Sequence, residues 1–175
     1  ITLDITIKNT ECEVKKLGDV CEYLPKINKL KASDGLIEGK YKFYTSSQNK
    51  KLYYYNYEFQ EYSIILGRGG NPSIHYDKEF SISHDDIYVI KNKIDNYKLI
   101  FIYYYLKFNL SILENGFVGL GIKHLSKEYI NNIEIPIPSI EKQEEIVKIL
   151  DNNDMIIKNL EKMIEDNKGL MKIVF

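Results

Sequence analysis

The sequence predicts an α+β fold: a mixed globule over residues 1–138, then a long C-terminal α-helix over 139–175 that forms a coiled coil. Two observations lead there. Short runs rich in aromatic and β-branched residues recur as far as Ile90 and give way to helical periodicity, so strands and helices share one globule. From Ser139 onward, apolar residues keep a 3.5-residue period. With Ile146 at position a, the a positions are Ile146, Asn153, Leu160, Asn167 and Val174. The d positions are Gln143, Leu150, Ile157, Ile164 and Met171. A lone helix cannot bury such a seam, so a partner is expected.

Residues 1–7 alternate apolar and polar, as a strand does. Residues 17–24 suit a short helix stopped before Pro25. A polar loop follows over 26–40. Residues 41–45, 52–57 and 62–66 are predicted strands, and Arg68-Gly69-Gly70-Asn71-Pro72 is a tight turn. Short strands are expected over 73–76, 80–83 and 87–90. Asp95 can cap a helix over 96–109, with Leu99, Ile102, Tyr103 and Leu106 on one face. A second helical piece spans 110–114, and 116–121 is glycine-rich. Residues 133–138 form a strand ending in prolines. Ser139 caps the long helix, with Gln143 near the reach-back position of a capping box.

A chain of 175 residues suits one domain plus an extended helix. No run of eighteen apolar residues is present, so no transmembrane helix is expected. The start has no basic region leading into an apolar stretch, as a signal peptide would, and it lacks Met, so the chain reads as a piece of a longer product. Cys12 and Cys21 are too few for a disulfide framework or a zinc site and fit a reducing cytoplasm. Three separate histidines add no ligand cluster. No cofactor is expected. Net charge is −1, but nine lysines lie between Lys15 and Lys51 against Asp19, Glu22, Asp34 and Glu38. A locally basic stretch on a neutral chain is a candidate phosphate footprint.

Gly67-Arg68-Gly69-Gly70-Asn71-Pro72 lacks both the spacing and the Lys-Ser/Thr ending of a nucleotide-binding loop. As a turn it projects Arg68, the only arginine, and Asn71. These two residue types make bidentate contacts to guanine and adenine edges. Ser73 and His75 follow as further candidates. Lys42, Tyr44, Thr45, Ser46, Ser47, Gln48 and Lys50 interleave aromatic, hydroxyl, amide and basic groups, a mixture suited to sugar and phosphate. Glycines over 116–121 permit close backbone approach to phosphate, and Lys123 and His124 stand beside them. The tyrosine runs 53–55 and 103–105 suit core and half-buried rim. Catalysis finds no such support. Glu13-Val14-Lys15 has a spacing found in nucleases but no convincing Asp before it. Asn71-Pro72-Ser73 departs from the adenine-methyltransferase pattern, and no Ser-His-Asp set stands out.

In chain order these pieces resemble the specificity (S) subunits of type I restriction-modification systems. Lys16-Leu17-Gly18-Asp19-Val20 resembles the opening of a target recognition domain. Gly39-Lys40-Tyr41-Lys42-Phe43-Tyr44-Thr45-Ser46-Ser47 resembles its early strand, and Ile64-Ile65-Leu66-Gly67-Arg68-Gly69-Gly70 its central strand and turn. Ile135-Pro136-Ile137-Pro138 with Glu141, Gln143 and Ile146 resembles the passage into the helical spacer. Lys168-Gly169-Leu170-Met171 resembles that helix's end.

The resemblance implies a non-enzymatic module that binds double-stranded DNA and directs methyltransferase (M) and restriction (R) subunits. The family carries two recognition domains and two antiparallel spacer helices, and this chain has one of each. Pairing with a second copy, antiparallel by that resemblance, would replace the missing half. A helix of roughly 50 Å at ~1.5 Å per residue would then set the globules about 40–50 Å apart. That distance is on the order of 12–15 base pairs of ~3.4 Å. Asn153 and Asn167 at a positions argue for the parallel direction instead. Two other readings stay open: the recognition end of a fused adenine methyltransferase, and a coiled-coil interaction module without DNA. From residue chemistry, loss of Arg68 should relax preference at one base pair, whereas equal loss on all sequences would make it a phosphate contact.

Overall fold

The computed structural model describes residues 11–47 and 50–174, the last seven of these by backbone alone. The strand expected over 1–7 and the candidate Gln48 lie outside the described residues. In chain order the elements are β1 (Glu13–Lys16), the one-turn helix α1 (Leu17–Val20), β2 (Cys21–Tyr23), β3 (Tyr41–Tyr44), β4 (Leu52–Tyr54), β5 (Phe59–Gly67), β6 (Ile74–Ile82) and β7 (Ile87–Asn92). Then come α2 (Leu99–Phe108), α3 (Leu110–Glu114), β8 (Phe117–Val118), β9 (His124–Leu125), α4 (Lys127–Asn131), β10 (Glu134–Ile137) and α5 (Ile140–Val174). The mixed α+β class and the long C-terminal helix are as the sequence predicts.

Six strands form the main sheet in the order β2-β7-β5-β6-β3-β4. All neighbours are antiparallel except β3 and β6. The sheet is strongly curled, and pairing registers show why it must be. Phe80 near the end of β6 faces Phe59 at the start of β5, whereas Ile87 at the start of β7 faces Gly67 at the end of β5. A flat β5 would set those two points about 26 Å apart at ~3.3 Å per residue. The connection from Ile82 to Ile87 reaches only about 18 Å fully extended. The chain closes because β5 and β6 bend, and their register shifts between Gln60 and Ser63, the position of that bend. Inside the curl lie Phe59, Ile65, Phe80, Ile82, Ile87 and Val89, with Phe59 and Phe80 stacked at 5.0 Å.

The outer face of the sheet carries the larger core. Ile64, Leu66, Tyr88 and Ile90 pack there against Phe101, Ile102 and Leu106 of α2, Leu113 of α3, Ile130 of α4 and Ile135 of β10. Cys21 belongs to this core, and burial pushes its thiol up to about 12, so it behaves as a small hydrophobe.

Several boundaries differ from expectation for identifiable reasons. The helix expected over 17–24 is a single turn, because Cys21–Tyr23 pairs with β7 instead. The separate strands expected over 73–76 and 80–83 are one strand. The polar run Asp77-Lys78-Glu79 between them hides the continuity, although Asp77 is half-buried and only Lys78 and Glu79 are exposed. Asp95 does not cap α2, which begins at Leu99 with no side-chain cap from its own segment. The free backbone N–H of Lys98 is met from elsewhere, by Gln143 Oε1 at 2.9 Å. That amide also donates from Nε2 to Pro138 O at 2.9 Å and is only 1% exposed. Gln143 therefore does not close a capping box. It ties β10, α2 and α5 together, while Ser139 Oγ accepts from Lys142 N at 3.4 Å.

The heptad seam divides in two. Ile146 is 2% exposed in the core, and Val147 and Leu150 pack beside it. Polar contacts extend this clasp on α2. Lys98 Nζ lies 2.7 Å from Glu144, Tyr104 donates to Asp151 at 2.6 Å, and Lys107 pairs with Asp154 at 2.9 Å. Gln143, Ile146 and Leu150, expected at a seam between chains, are thus occupied within this one. Beyond Asp154 the stripe stands free, with Ile157, Leu160 and Ile164 at 51%, 53% and 54% exposure. Asn153 and Asn167 are exposed too.

Removing the Gln143 amide strands a buried N–H and a buried C=O. Gln143→Ala should therefore destabilise by about 2–4 kcal/mol, and Ile146→Ala by about 2–5 kcal/mol. Ile157→Ala should stay within roughly 0.5 kcal/mol. Urea unfolding of dilute protein measures all three.

Candidate nucleic-acid interface

The curl brings three loops from distant parts of the chain to one edge. The first follows β3 and carries Thr45, Ser46 and Ser47. The second is the turn after β5, and the third is the β8–β9 hairpin. Backbone bonds stitch the last two together. Arg68 O accepts from Leu125 N at 2.9 Å, Gly70 N donates to Lys123 O at 3.2 Å, and Gly69 bridges His124. Gly70 needs its freedom here, with φ at +79°. Ser46 joins the first loop to the rest: its Oγ donates to Asp86 O at 2.9 Å and accepts from Gly69 N at 3.4 Å. Ser46 is half-buried, and Ser47, Asn71, Lys123 and His124 are exposed around this junction. The glycine-rich connection is a hairpin whose tip exposes Val118, Leu120 and Ile122.

A second group lies on the other side of Ser47. Lys42, Tyr44, Thr45, Ser47, Lys50 and His75 line a pocket of about 400 Å³. The Tyr44 ring lies tilted against His75 with ring centroids 4.7 Å apart. Asp77 Oδ2 accepts from both Lys42 Nζ and Tyr44 Oη at 2.8 Å. Burial raises the Asp77 pKa, but bonds from Lys42, Tyr44 and the Lys78 backbone N–H outweigh it and hold the carboxyl below its usual range. His75 is lowered, by burial first and then by the Lys42 charge, against an opposing pull from Asp77.

Two of the candidates lie beneath the surface. Thr45 is buried, and its Oγ1 accepts from Ser47 N at 3.2 Å, so it shapes the loop. Ser73 is buried under Gly67, where an added Cβ would lie 2.2 Å from Ser73 Oγ.

Arg68 does not project from its turn. Its Nη1 donates to Asp85 O at 2.8 Å, and its guanidinium lies 4.8 Å from the centre of the Tyr88 ring. Lys26 and Lys127 approach the same ring at 5.8 and 5.7 Å, and Lys127 lies 4.5 Å from Tyr23. Sequence reasoning missed Lys26, Lys127, Tyr23 and Tyr88. Only the local lysine excess bore on any of them, because residues from four elements meet there through tertiary packing. Among the described residues no group of three His, Cys, Asp or Glu side chains is placed to hold a metal, and no helix is long and apolar enough to cross a membrane.

The family model for the type I restriction modification DNA specificity domain matches residues 9–166, and the chain belongs to that family. It is 39% identical over 89 residues to the type I restriction enzyme MjaVIII specificity subunit of Methanocaldococcus jannaschii, a match covering 49% of this chain and 20% of that protein. The fold is that of the type I restriction-modification S subunit from M. genitalium, with TM-score 0.77 and 20% identity over 92% of this chain and 44% of that one. A structure from work on complex assembly and conformational transition of the type I R-M system gives TM-score 0.62 and 16% identity, covering 93% of this chain and 43% of that one. The chain thus spans about a fifth of the curated relative and under half of each solved one.

His75 gives a pH test. Its folded pKa lies below the unfolded value of about 6.5, so below that pH the unfolded chain binds more protons and stability falls as the pH drops. Urea midpoints measured from pH 7.5 to 5.5 should decline, and His75→Gln should flatten that decline.

Proposed function

We propose that this chain is the target-recognition part of a type I specificity subunit. It binds double-stranded DNA, reads sequence from the major groove, and directs M and R subunits that carry the chemistry; it performs none itself. The observation that carries this reading is the meeting of Ser46, Ser47, Asn71, Lys123 and His124 at one edge. They arrive from three separate loops, two joined by backbone bonds and the third through the Ser46 hydroxyl. Short polar side chains on a rigid frame suit base-edge contacts, and the lysines suit phosphates. Lys42, Tyr44, Lys50 and His75 extend the surface along the neighbouring pocket.

The free part of α5 supports pairing with a second copy, antiparallel so that two recognition globules face one duplex. Because α5 is clasped to its own globule through Asp154, pairing falls to residues 155–174. That length is about 30 Å at ~1.5 Å per residue. The unread gap between half-sites is then nearer nine base pairs at ~3.4 Å each than the 12–15 expected from the whole helix.

Duplex DNA should shift the chain in a gel at low salt, with affinity falling steeply as salt rises. Absence of binding to every duplex tried, at any salt, rejects the DNA reading. Single cysteines at Ile157, Leu160 and Asn167, in a background with Cys12 and Cys21 replaced by serine, test direction. An antiparallel pair crosslinks like with like at one of these positions at most. Crosslinks at all three establish the parallel pair.

A further inference from the structure

We infer that Lys26, Arg68 and Lys127 form a clamp for a tetrahedral phosphate on a floor made by Tyr23 and Tyr88, and that the phosphate is one of the duplex backbone. The inference rests on the DNA-binding reading above and assigns Arg68 to phosphate instead of a base edge.

Three cations from three segments converge here: the loop after β2, the turn after β5 and the start of α4. All lie within 6 Å of one ring centre. They border a pocket of about 550 Å³. Half-buried lysines elsewhere sit on carboxylates: Lys15 on Glu13, Lys91 on Glu61, Lys98 on Glu144, Lys107 on Asp154 and Lys142 on Glu145. Among the described residues none of the three clamp cations has such a pair, although Lys26 and Arg68 are half-buried; Lys127 is exposed. Asp85, the nearest candidate, is exposed and bound to His84 at 2.8 Å. Lys26 donates to the His84 carbonyl, which carries no net charge. Burial first and then the Arg68 charge lower the Lys26 pKa; Asp85 opposes them, Lys127 adds to the lowering, and Glu58 opposes it.

The aromatic floor explains how the cations tolerate one another, since each faces a ring's negative quadrupole. Tyr23 and Tyr88 meet edge to face at 5.6 Å, and Tyr23 Oη donates to Lys127 O at 3.4 Å, fixing the floor to α4. What the cluster lacks is an anion in direct contact, since Asp85 acts on Lys26 and Arg68 without forming an ion pair with either. A phosphate supplies one, with oxygens that match the planar donor fork of arginine. Of the guanidinium donors, one is used on Asp85 O, and the described residues give the others no acceptor. The Arg68 backbone is held between Asp86 and Leu125 at the loop junction. The clamp therefore flanks that junction, where a contact would set the register of the duplex without reading it.

The test compares the chain with its Lys26→Gln, Arg68→Gln and Lys127→Gln variants on short duplexes of unrelated sequence. Thermal unfolding confirms that each variant folds. Each change should weaken every duplex alike, roughly five- to tenfold near 0.1 M salt, and reduce the slope of log K against log salt by at most about 0.9, the share of one phosphate. Lys127→Arg should restore both. Loss confined to one sequence, or unchanged affinity and slope, overturns the clamp. A titration of the unmodified chain with inorganic phosphate, followed by NMR at Arg68 Nε–H, separates the two sources of phosphate. A saturable shift from a chain that binds no duplex keeps the pocket but removes both the duplex as its ligand and the DNA reading. No duplex binding and no shift rejects the clamp as well.

Discussion

The short connection from Ser83 to Asp86 governs the rest of the molecule. It leads from the far end of β6 to the start of β7, on the other side of β5. That path is too short for a flat sheet, so β5 and β6 bend and enclose a small apolar core. The same bend brings the loop after β3 against the turn after β5: Ser46 donates to Asp86 O within that very connection. Straightening the sheet would separate Ser46 from Gly69. The surface assigned to DNA exists because of how the strands close.

A second constraint works at the junction with the helix. One buried amide, Gln143, supplies the N–H partner that α2 lacks and the donor that Pro138 O needs. Buried polar groups strongly favour being paired, so these bonds resist rotation of α5 relative to β10 and α2. Tyr104, Lys107, Asp151 and Asp154 continue the clasp over further turns. One helix thereby has two roles. Its first half is a wall of the globule, and its second half projects an apolar stripe that favours a partner.

Much of the fold was legible because strands and helices leave their periods in the sequence. Strands β3, β5 and β7 stand where aromatic and β-branched runs predict them, and β10 ends at its prolines. The misses share a cause. Asp77-Lys78-Glu79 looks like a break because its residues are polar, yet Asp77 is bound by Lys42 and Tyr44, which only the fold brings to it. Asp95 has the chemistry of a cap, yet the N-terminus of α2 is met by a residue far along the chain. The candidate surface was partly legible too. Polar loop residues could be named, but not that Ser46, Gly69 and His124 touch, nor that Thr45 and Ser73 lie underneath.

By itself the sequence determined the α+β class, the long terminal helix, its apolar seam and the polar loops that could meet DNA. These follow from residue chemistry and local period, which need no knowledge of what packs opposite. Tertiary structure alone decided which half of the seam stays at home and where Arg68 points. Ile146 at an a position and Ile157 at a d position belong to the same apolar seam, yet only Ile146 faces α2. Arg68 sits in a turn that could project it outward, yet Tyr88 and Asp85 O draw its guanidinium back. Burial and charge pairing depend on neighbours distant in sequence, and those neighbours are set by how the sheet closes.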